Sequence, residues 1–506
     1  MPPLTPQQQA VLDWAATPTH RHANVTAVAG SGKTTTLVAL VRDIAKREPN
    51  TRIAFLAFNK SVAAEIASRV SGLSQVTAST FHALGMRLLG RALPTLRVEE
   101  RKVAQWLDQQ PGAVAMDVRE FVLRTVSIAK QRLLDAADKP TWVNMVQHYA
   151  LDECLEVPTD AKVSYALDIA LDALRASQQL TESGVIDFDD MLYEVVRRGL
   201  RGVQFHWVLV DEAQDTNPAR RELARMLLAE GGRLVSVGDP YQAIYGFTGA
   251  DNDALAQLTR ALSSTELPLT VSFRCPQRVV EEAQRYVPHI QSAPGAPVGL
   301  VERTTFPAFL RDISRPHDPP LGPTRAILCR YTRPLVSLAF TLLSAGVGCR
   351  IEGRDVASSL KTLARRWKRV RSVSALRRQL AAYEEQEVQR LERAGRTQQA
   401  QAVRDRVGTL CAVCDGLPDD APVAEVSARL DALFGDTQPG EVPKVVTLST
   451  VHKAKGREWP TVYLLGENVY MPSPYATQAW EQEQERNLLY VAITRAQQAL
   501  VYVDLE

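Results

Sequence analysis

Apolar runs along the chain fall into two groups, and those of the first group do not alternate apolar with polar positions as a half-solvated strand would. Asn24–Ala29, Arg52–Phe58, Phe205–Val210 and Arg233–Val237 are apolar on both faces. That is the pattern of parallel strands covered by helices on either side. Leu267–Val271, Ala326–Cys329, Lys444–Leu448, Thr461–Leu465 and Ala499–Val503 form a second set. Two α/β sheets are predicted. Two further stretches, about 91–185 and about 354–442, have no strand pattern and carry apolar residues at helical spacing. The second includes AAYEEQEVQRLERAGRTQQAQAVRDRV, in which charges dominate the remaining positions. SRPHDPPLGP and GLPDDAPV are loops. The predicted organisation is a first α/β domain at 1–90 and 186–265 with a helical insertion at 91–185, and a second at 266–353 and 443–506 with a reduced helical insertion at 354–442.

Composition narrows this picture without naming a function. The 506 residues are 45% hydrophobic and 23% charged, ordinary for a globular chain. No apolar run approaches the ~18 residues that a membrane span needs. The start, MPPLTPQQQAV, lacks the basic-then-apolar pattern of a secretion signal. Six scattered cysteines suit a reduced, cytoplasmic protein. Cys411 and Cys414 stand as a lone CxxC and read as small apolar residues on a helix, since a zinc site normally needs four ligands. A net charge of +2 excludes an indiscriminate polycation, so any nucleic-acid site must be built from local clusters and stacking residues.

Candidate chemistry begins where the first strand runs into AVAGSGKTTTL. Small residues Ala29, Gly30, Ser31 and Gly32 let backbone N–H groups wrap phosphates, and the helix that follows adds partial positive charge at its N-terminus. Lys33 would reach the β- and γ-phosphates, Thr34 would bind Mg²⁺, and Thr35 continues the loop into the helix. The run Phe205–Val210 ends in VLVDEAQDTNP, where Asp211 suits the Mg²⁺ shell and Glu212 could polarise the attacking water. These motifs predict ATP hydrolysis. The next motif, VSVGDPYQAIYGFTGA, sets Gln242 to sense the γ-phosphate and places Tyr245 and Phe247 close behind it. An aromatic near a nucleotide sensor can couple ATP state to base stacking, worth ~1–3 kcal/mol per base.

The motifs, in order, resemble those of superfamily 1 helicases of the UvrD/Rep type. LTPQQQAV, AVAGSGKT, FNKSVAAEI, TFHALGMRLL, DFDDML, VDEAQD, VGDPYQAIYGF, VSFRCP, TLSTVHKAKGREW and RNLLYVAITRA follow one another at the family's spacing through most of both α/β domains. The resemblance implies two RecA-like P-loop domains with parallel sheets, each with a mainly helical insertion. It implies that Gln8 reads the adenine edge, Phe273 stacks on the base and Glu458 holds the ribose. By the same resemblance Arg274 and Arg495 act as arginine fingers from the second domain, and Thr80, His82, Tyr245, Phe247, Thr450 and His452 line a DNA track. The implied ligands are ATP, Mg²⁺, single-stranded DNA and its junctions with duplex. A 3′→5′ direction also follows from resemblance alone, and the short second insertion leads to the expectation of a monomer, with loading or repair partner proteins left open.

Three departures stand out. Phe247 and Thr248 replace the Trp-Arg of many relatives, Arg457 in KGREW occupies a usually apolar place, and Phe58 is displaced by one position in its motif. The run KTLARRWKRVRSVSALRR at 361–378 would present a cationic face to duplex phosphates if it were one helix, or else be a solvated or protein-docking helix. Three alternatives remain at this point: an RNA-directed helicase of the same superfamily, a translocase that strips proteins without unwinding, and a P-loop switch.

Overall fold

Buried runs in the first half of the chain pair into one parallel sheet. In chain order its strands are β1 (His22–Ala27), β2 (Ile53–Ala57), β3 (Val76–Thr80), β4 (Phe205–Val210), β5 (Leu228–Gly238) and β6 (Thr265–Leu269). In space they run β3-β2-β4-β5-β1-β6. The computed structural model describes residues 3–93, 95–112, 114–155, 158–245, 253–314, 324–367, 370–393, 397–435, 445–476 and 478–505. Why the strands do not alternate is plain from the packing. Phe55, Trp207 and Leu209 face one core, with Leu37 and Val41 of the helix Lys33–Arg47. Their neighbours Leu56, Val208 and Val210 face another, with Leu84 and Leu88 of the helix Phe81–Ala92. Both sides are covered, so both sides are apolar.

The chain divides into two compact units, Met1–Thr270 and Val271–Glu506. Within the first, helices Lys102–Asp108, Met116–Gln131, Lys139–His148 and Asp160–Glu182 gather around Phe121, Trp142 and Leu171. A buried charge cluster fastens these helices to the DFDDML segment. Lys102 Nζ lies 2.7 Å from Asp190 Oδ2 and donates to Thr181 Oγ1 at 2.7 Å. Lys130 Nζ lies 2.5 Å from Asp187 Oδ2 and 2.8 Å from Asp190 Oδ1. Burial dominates Lys102 and lowers its pKa despite Asp190. For Lys130 burial is again the largest influence, but Asp190 and Asp187 together override it and raise the pKa. Both side chains of the Lys102–Asp190 pair are fully buried. Lys102→Met is therefore expected to cost about 3–5 kcal/mol, because it leaves buried carboxylate charge uncompensated. Urea denaturation checks this, and a midpoint equal to wild type would show that Lys130 alone satisfies both carboxylates.

The second unit carries β7 (Leu300–Thr305), β8 (Arg325–Cys329), β9 (Cys349–Glu352), β10 (Phe434–Gly435), β11 (Val446–Thr450), β12 (Trp459–Leu465) and β13 (Ala496–Asp504). Their spatial order is β7-β13-β12-β8-β11-β9-β10, with every neighbouring pair parallel. Helices Val373–Arg393, Thr397–Asp415 and Val423–Leu433 share one core with this sheet, where Leu376, Val413 and Leu430 join Ile327, Leu335 and Leu448. Cys411 and Cys414 sit on the middle helix as free thiols, Cys414 in that core and Cys411 packed against it.

Two expectations are corrected here. Leu267–Val271 was expected to open the second sheet, yet β6 completes the first, pairing with β1 from Ala23↔Thr265 to Ala27↔Leu269. Only Val271–Ser272 belongs to the second unit, in a short ladder with Gln291–Ser292. An apolar run does not state which sheet receives it. The basic run 361–378 is not one helix. The helix Arg354–Ala364 stops at Arg365, and among the described residues the next helix begins at Val373. Trp367 and Val370 pack onto the core between these two helices. Arg366 lies over the Tyr383 ring at 4.6 Å, Lys361 pairs with Asp431, and Arg377 pairs with Asp415 at 3.2 Å. Lys368, Arg369 and Lys444 lie outside the described residues. β3, β7 and β9 had no counterpart among the predicted strands. Their sequences VTAST, LVERTT and CRIE mix polar and apolar residues, and β7, an edge strand, is largely exposed.

Candidate nucleotide and nucleic-acid site

The phosphate loop joins β1 to the helix Lys33–Arg47 at the carboxyl end of the sheet, where open α/β folds place ligands. Gly30 and Gly32 take φ of 72° and 78°, a left-handed backbone that favours glycine. No side chain caps the helix at Gly32. The N-terminal helix Pro6–Ala16 starts with a reciprocal capping box between Thr5 and Gln8. This box holds the Gln8 side chain against the loop, where Nε2 donates to Ser31 O at 3.3 Å. Gln7, missed by the sequence reading, clamps Thr270 by accepting its N–H at 2.8 Å and donating to its hydroxyl at 2.9 Å. Ser31 is buried, and its hydroxyl has no hydrogen-bond partner among the described residues. Thr35 stands half-buried in the first turn of the helix.

Lys33 Nζ donates to Glu212 Oε2 at 2.8 Å, and Thr34 Oγ1 donates to Asp211 Oδ2 at 2.9 Å. Burial is the largest influence on Lys33 and opposes its charge, but Glu212, Asp239 and Asp211 outweigh it and raise the pKa. Burial, reinforced by Glu212, pushes Asp211 up to about 6. Burial likewise raises Asp239 to about 6, against the pull of Lys33. Glu212 itself takes φ of 51°, a left-handed posture that costs a non-glycine residue about 1–3 kcal/mol and is often found at functional sites. Thr34 and Asp211 offer hard oxygen donors side by side. That donor set fits Mg²⁺, a hard cation that prefers oxygen ligands.

Sequence reasoning missed two residues that join this site together. Gln214 Nε2 donates to Glu212 Oε2 at 2.6 Å, while its Oε1 accepts the Asp239 N–H at 3.0 Å. Asp239 Oδ2 in turn accepts from Gln242 Nε2 at 2.7 Å. Gln242, Asp239, Gln214, Glu212 and Lys33 therefore form one continuous hydrogen-bonded chain. The only sequence signal was their presence inside DEAQD and VGDPYQ. A Cβ on Gly238 would lie 2.4 Å from Gln214 Oε1, so glycine is needed where β5 passes beneath this bridge.

Three residues beyond Gln242, Tyr245 stacks on Phe58 with ring centroids 6.3 Å apart and planes within 5°. Phe58, given no role from sequence, thus lies beside a predicted DNA contact. Phe247 lies outside the described residues. Thr80 caps the helix Phe81–Ala92, accepting the Ala83 N–H at 3.2 Å, and brings His82 to its first turn. Burial, with help from Arg220, pulls His82 down to about 4.

In the second unit Thr450 caps the helix Val451–Ala454, and burial, with Arg330 and Lys455, pulls His452 down to about 3. Arg274 pairs with Glu458, whose second oxygen accepts from Gln497 at 2.9 Å. Arg495 is 1% exposed and donates to Val491 O at 2.9 Å, Arg457 O at 3.1 Å and Thr494 Oγ1 at 3.1 Å. Burial, then the charge of Arg274, lowers its pKa to about 9. Phe273 is 53% exposed. Arg457, unexpected in its motif, pairs at 2.7 Å with Glu352, a carboxylate buried at the end of β9.

The phosphate loop, its acids and the glutamine chain sit in a segment that one family model matches. The UvrD/REP helicase N-terminal domain covers residues 4–263, and the UvrD-like helicase C-terminal domain covers residues 357–504. The chain belongs to the UvrD/Rep helicase family. The chain is similar to the ATP-dependent DNA helicase UvrD2 of Mycobacterium tuberculosis, at 26% identity over 93% of this chain and 75% of the relative. It is similar to the ATP-dependent DNA helicase Rep of Buchnera aphidicola, at 23% identity over 52% of this chain and 42% of the relative. It also resembles the ATP-dependent DNA helicase PcrA of Staphylococcus epidermidis, at 26% identity over 52% of this chain and 38% of the relative. The chain thus spans less than half of the Rep and PcrA relatives it matches. Among the described residues no helix is long and apolar enough to cross a membrane.

Proposed function

We propose that this member of the UvrD/Rep family is an ATP-dependent DNA helicase that translocates along single-stranded DNA, 3′→5′, and serves DNA repair, recombination or replication. The observation that carries the proposal is the continuous path from Lys33 and Glu212 through Gln214 and Asp239 to Gln242, three residues from an aromatic stack. Phosphate entering the loop competes with Glu212 for Lys33. That competition frees the Glu212 carboxylate to orient and deprotonate water. Thr34 and Asp211 would hold Mg²⁺, which would neutralise phosphate charge there. Gln242 senses the γ-phosphate and relays its presence through Asp239 and Gln214. Gln8 selects adenine, with Phe273 stacking on the base and Glu458 holding the ribose. Arg274 and Arg495 stabilise charge on the transferred phosphoryl group. Thr80, His82, Tyr245, Phe247, Thr450 and His452 contact the DNA strand, and the protein works as a monomer.

ATPase activity measured with and without single-stranded DNA tests the proposal, followed by unwinding of 3′-tailed and 5′-tailed duplexes on the same sample. Equal hydrolysis with and without DNA would overturn it. Stronger stimulation by RNA would favour the RNA-directed alternative, and stimulation without strand displacement the stripping translocase.

A pH prediction follows from the two histidines. Held down to about 4 and about 3, chiefly by burial, His82 and His452 are neutral throughout pH 6–8. Affinity for single-stranded DNA at fixed salt is therefore expected to show no histidine titration across that range. A steady gain in affinity as pH falls through 6.5 would show a histidine gaining charge on the strand.

A further inference from the structure

One guanidinium stands between the loop of the two acids and the aromatic stack. Glu212 opens a short 3₁₀ turn, Ala213–Asp215, and the chain then enters the helix Pro218–Met226, capped by Asn217, which accepts the Arg220 N–H at 3.0 Å. From the first turn of that helix Arg220 reaches back. Its Nη1 donates to Asp215 O at 2.9 Å, at the end of the turn that Glu212 begins. Its guanidinium also lies over the Phe58 ring, 4.6 Å from the centroid. Phe58 presents its ring to Tyr245. Tyr245 follows Gln242 by three residues, and Gln242 is bonded through Asp239 and Gln214 back to Glu212. The path closes on itself. The aromatic pair is held from one side by the chain that carries Gln242 and from the other by Arg220 on the loop that carries Glu212.

We propose that Arg220 is a positioning residue that couples the Phe58–Tyr245 stack to the Glu212 loop, so that base stacking on this pair sets the posture of the hydrolytic carboxylate. This rests on the proposed DNA-stimulated ATPase. A guanidinium suits the task because its planar face and its edge are used at once, the face by the ring and an edge N–H by the carbonyl. An ammonium has no such plane. A glutamine amide is shorter and uncharged, so it loses both the reach to the carbonyl and the attraction for the ring.

Arg220→Gln and Arg220→Lys test this through hydrolysis without DNA and with saturating oligo-dT, beside wild type. For Arg220→Gln the DNA-free rate is expected to stay near wild type, while the ratio of stimulated to basal rate falls about five- to tenfold. Arg220→Lys is expected to recover part of that ratio. Undiminished stimulation in Arg220→Gln, with wild type stimulated, would overturn the inference alone. Equal loss of basal and stimulated rates in both variants would also overturn it, since that marks a residue needed only for folding. A wild type that DNA does not stimulate would overturn the motor proposal and this inference together.

Discussion

Glu212→Gln is expected to lower ATP turnover by about 10²–10⁴-fold while nucleotide affinity stays within a few-fold of wild type. The substitution removes the carboxylate's basicity and retains its shape. The amide oxygen of the substituted side chain would still meet Lys33, so the loop keeps a partner for the lysine, which Glu212 now holds at 2.8 Å. Asp211 loses a neighbouring negative charge, the influence second only to burial in raising its pKa. The side chain that faces Thr34 therefore ionises more readily, which favours rather than hinders binding of metal and nucleotide. Protein arrested before hydrolysis should accumulate on single-stranded DNA when ATP is present. Single-turnover hydrolysis and equilibrium nucleotide binding, measured on the same preparation, separate these effects. Turnover at the wild-type rate would remove Glu212 from the water-activating role.

Lys33→Ala should lower turnover by about 10²–10³-fold and, unlike the glutamate variant, weaken nucleotide binding as well. Lys33 is the cation acting on Glu212, Asp239 and Asp211 together. Without it, buried carboxylates face one another with less compensation, and an incoming phosphate meets net repulsion. Asp239, raised by burial against the pull of Lys33, should shift further upward. The expected signature is a fall in kcat with a rise in KM for ATP. A variant that kept wild-type affinity would show that the backbone amides of the loop suffice for binding, and that Lys33 acts only on the transition state.

Asp211 and Glu212 were legible because they directly follow an apolar strand, and Lys33 and Thr34 because they open the helix after the glycine loop that follows another. Gln214 and Asp239 were not. What makes them important is that β4 and β5 lie side by side, which brings the loop after one strand onto the loop after the other. No local pattern carries that adjacency. Phe58 was passed over for a similar reason. Its meaning lies in Tyr245, which comes from the loop after β5. Arg457 looked out of place in its motif until Glu352, at the end of β9, proved to be its buried partner. β9 itself was not predicted.

By itself the sequence determined how much of each segment must be buried and on how many faces. Strands apolar at successive positions required helices on both sides, and that requirement produced two parallel sheets. It also determined the phosphate loop, whose backbone needs glycine at left-handed angles. Tertiary structure alone decided that the run at 265–269 closes the first sheet, that the basic segment at 361–378 is not one helix, and that Arg220 meets Phe58. The division has a physical cause. Backbone preference and burial are properties of a residue and its near neighbours, whereas a partner across a sheet is fixed by strand order and register, which depend on the whole chain at once.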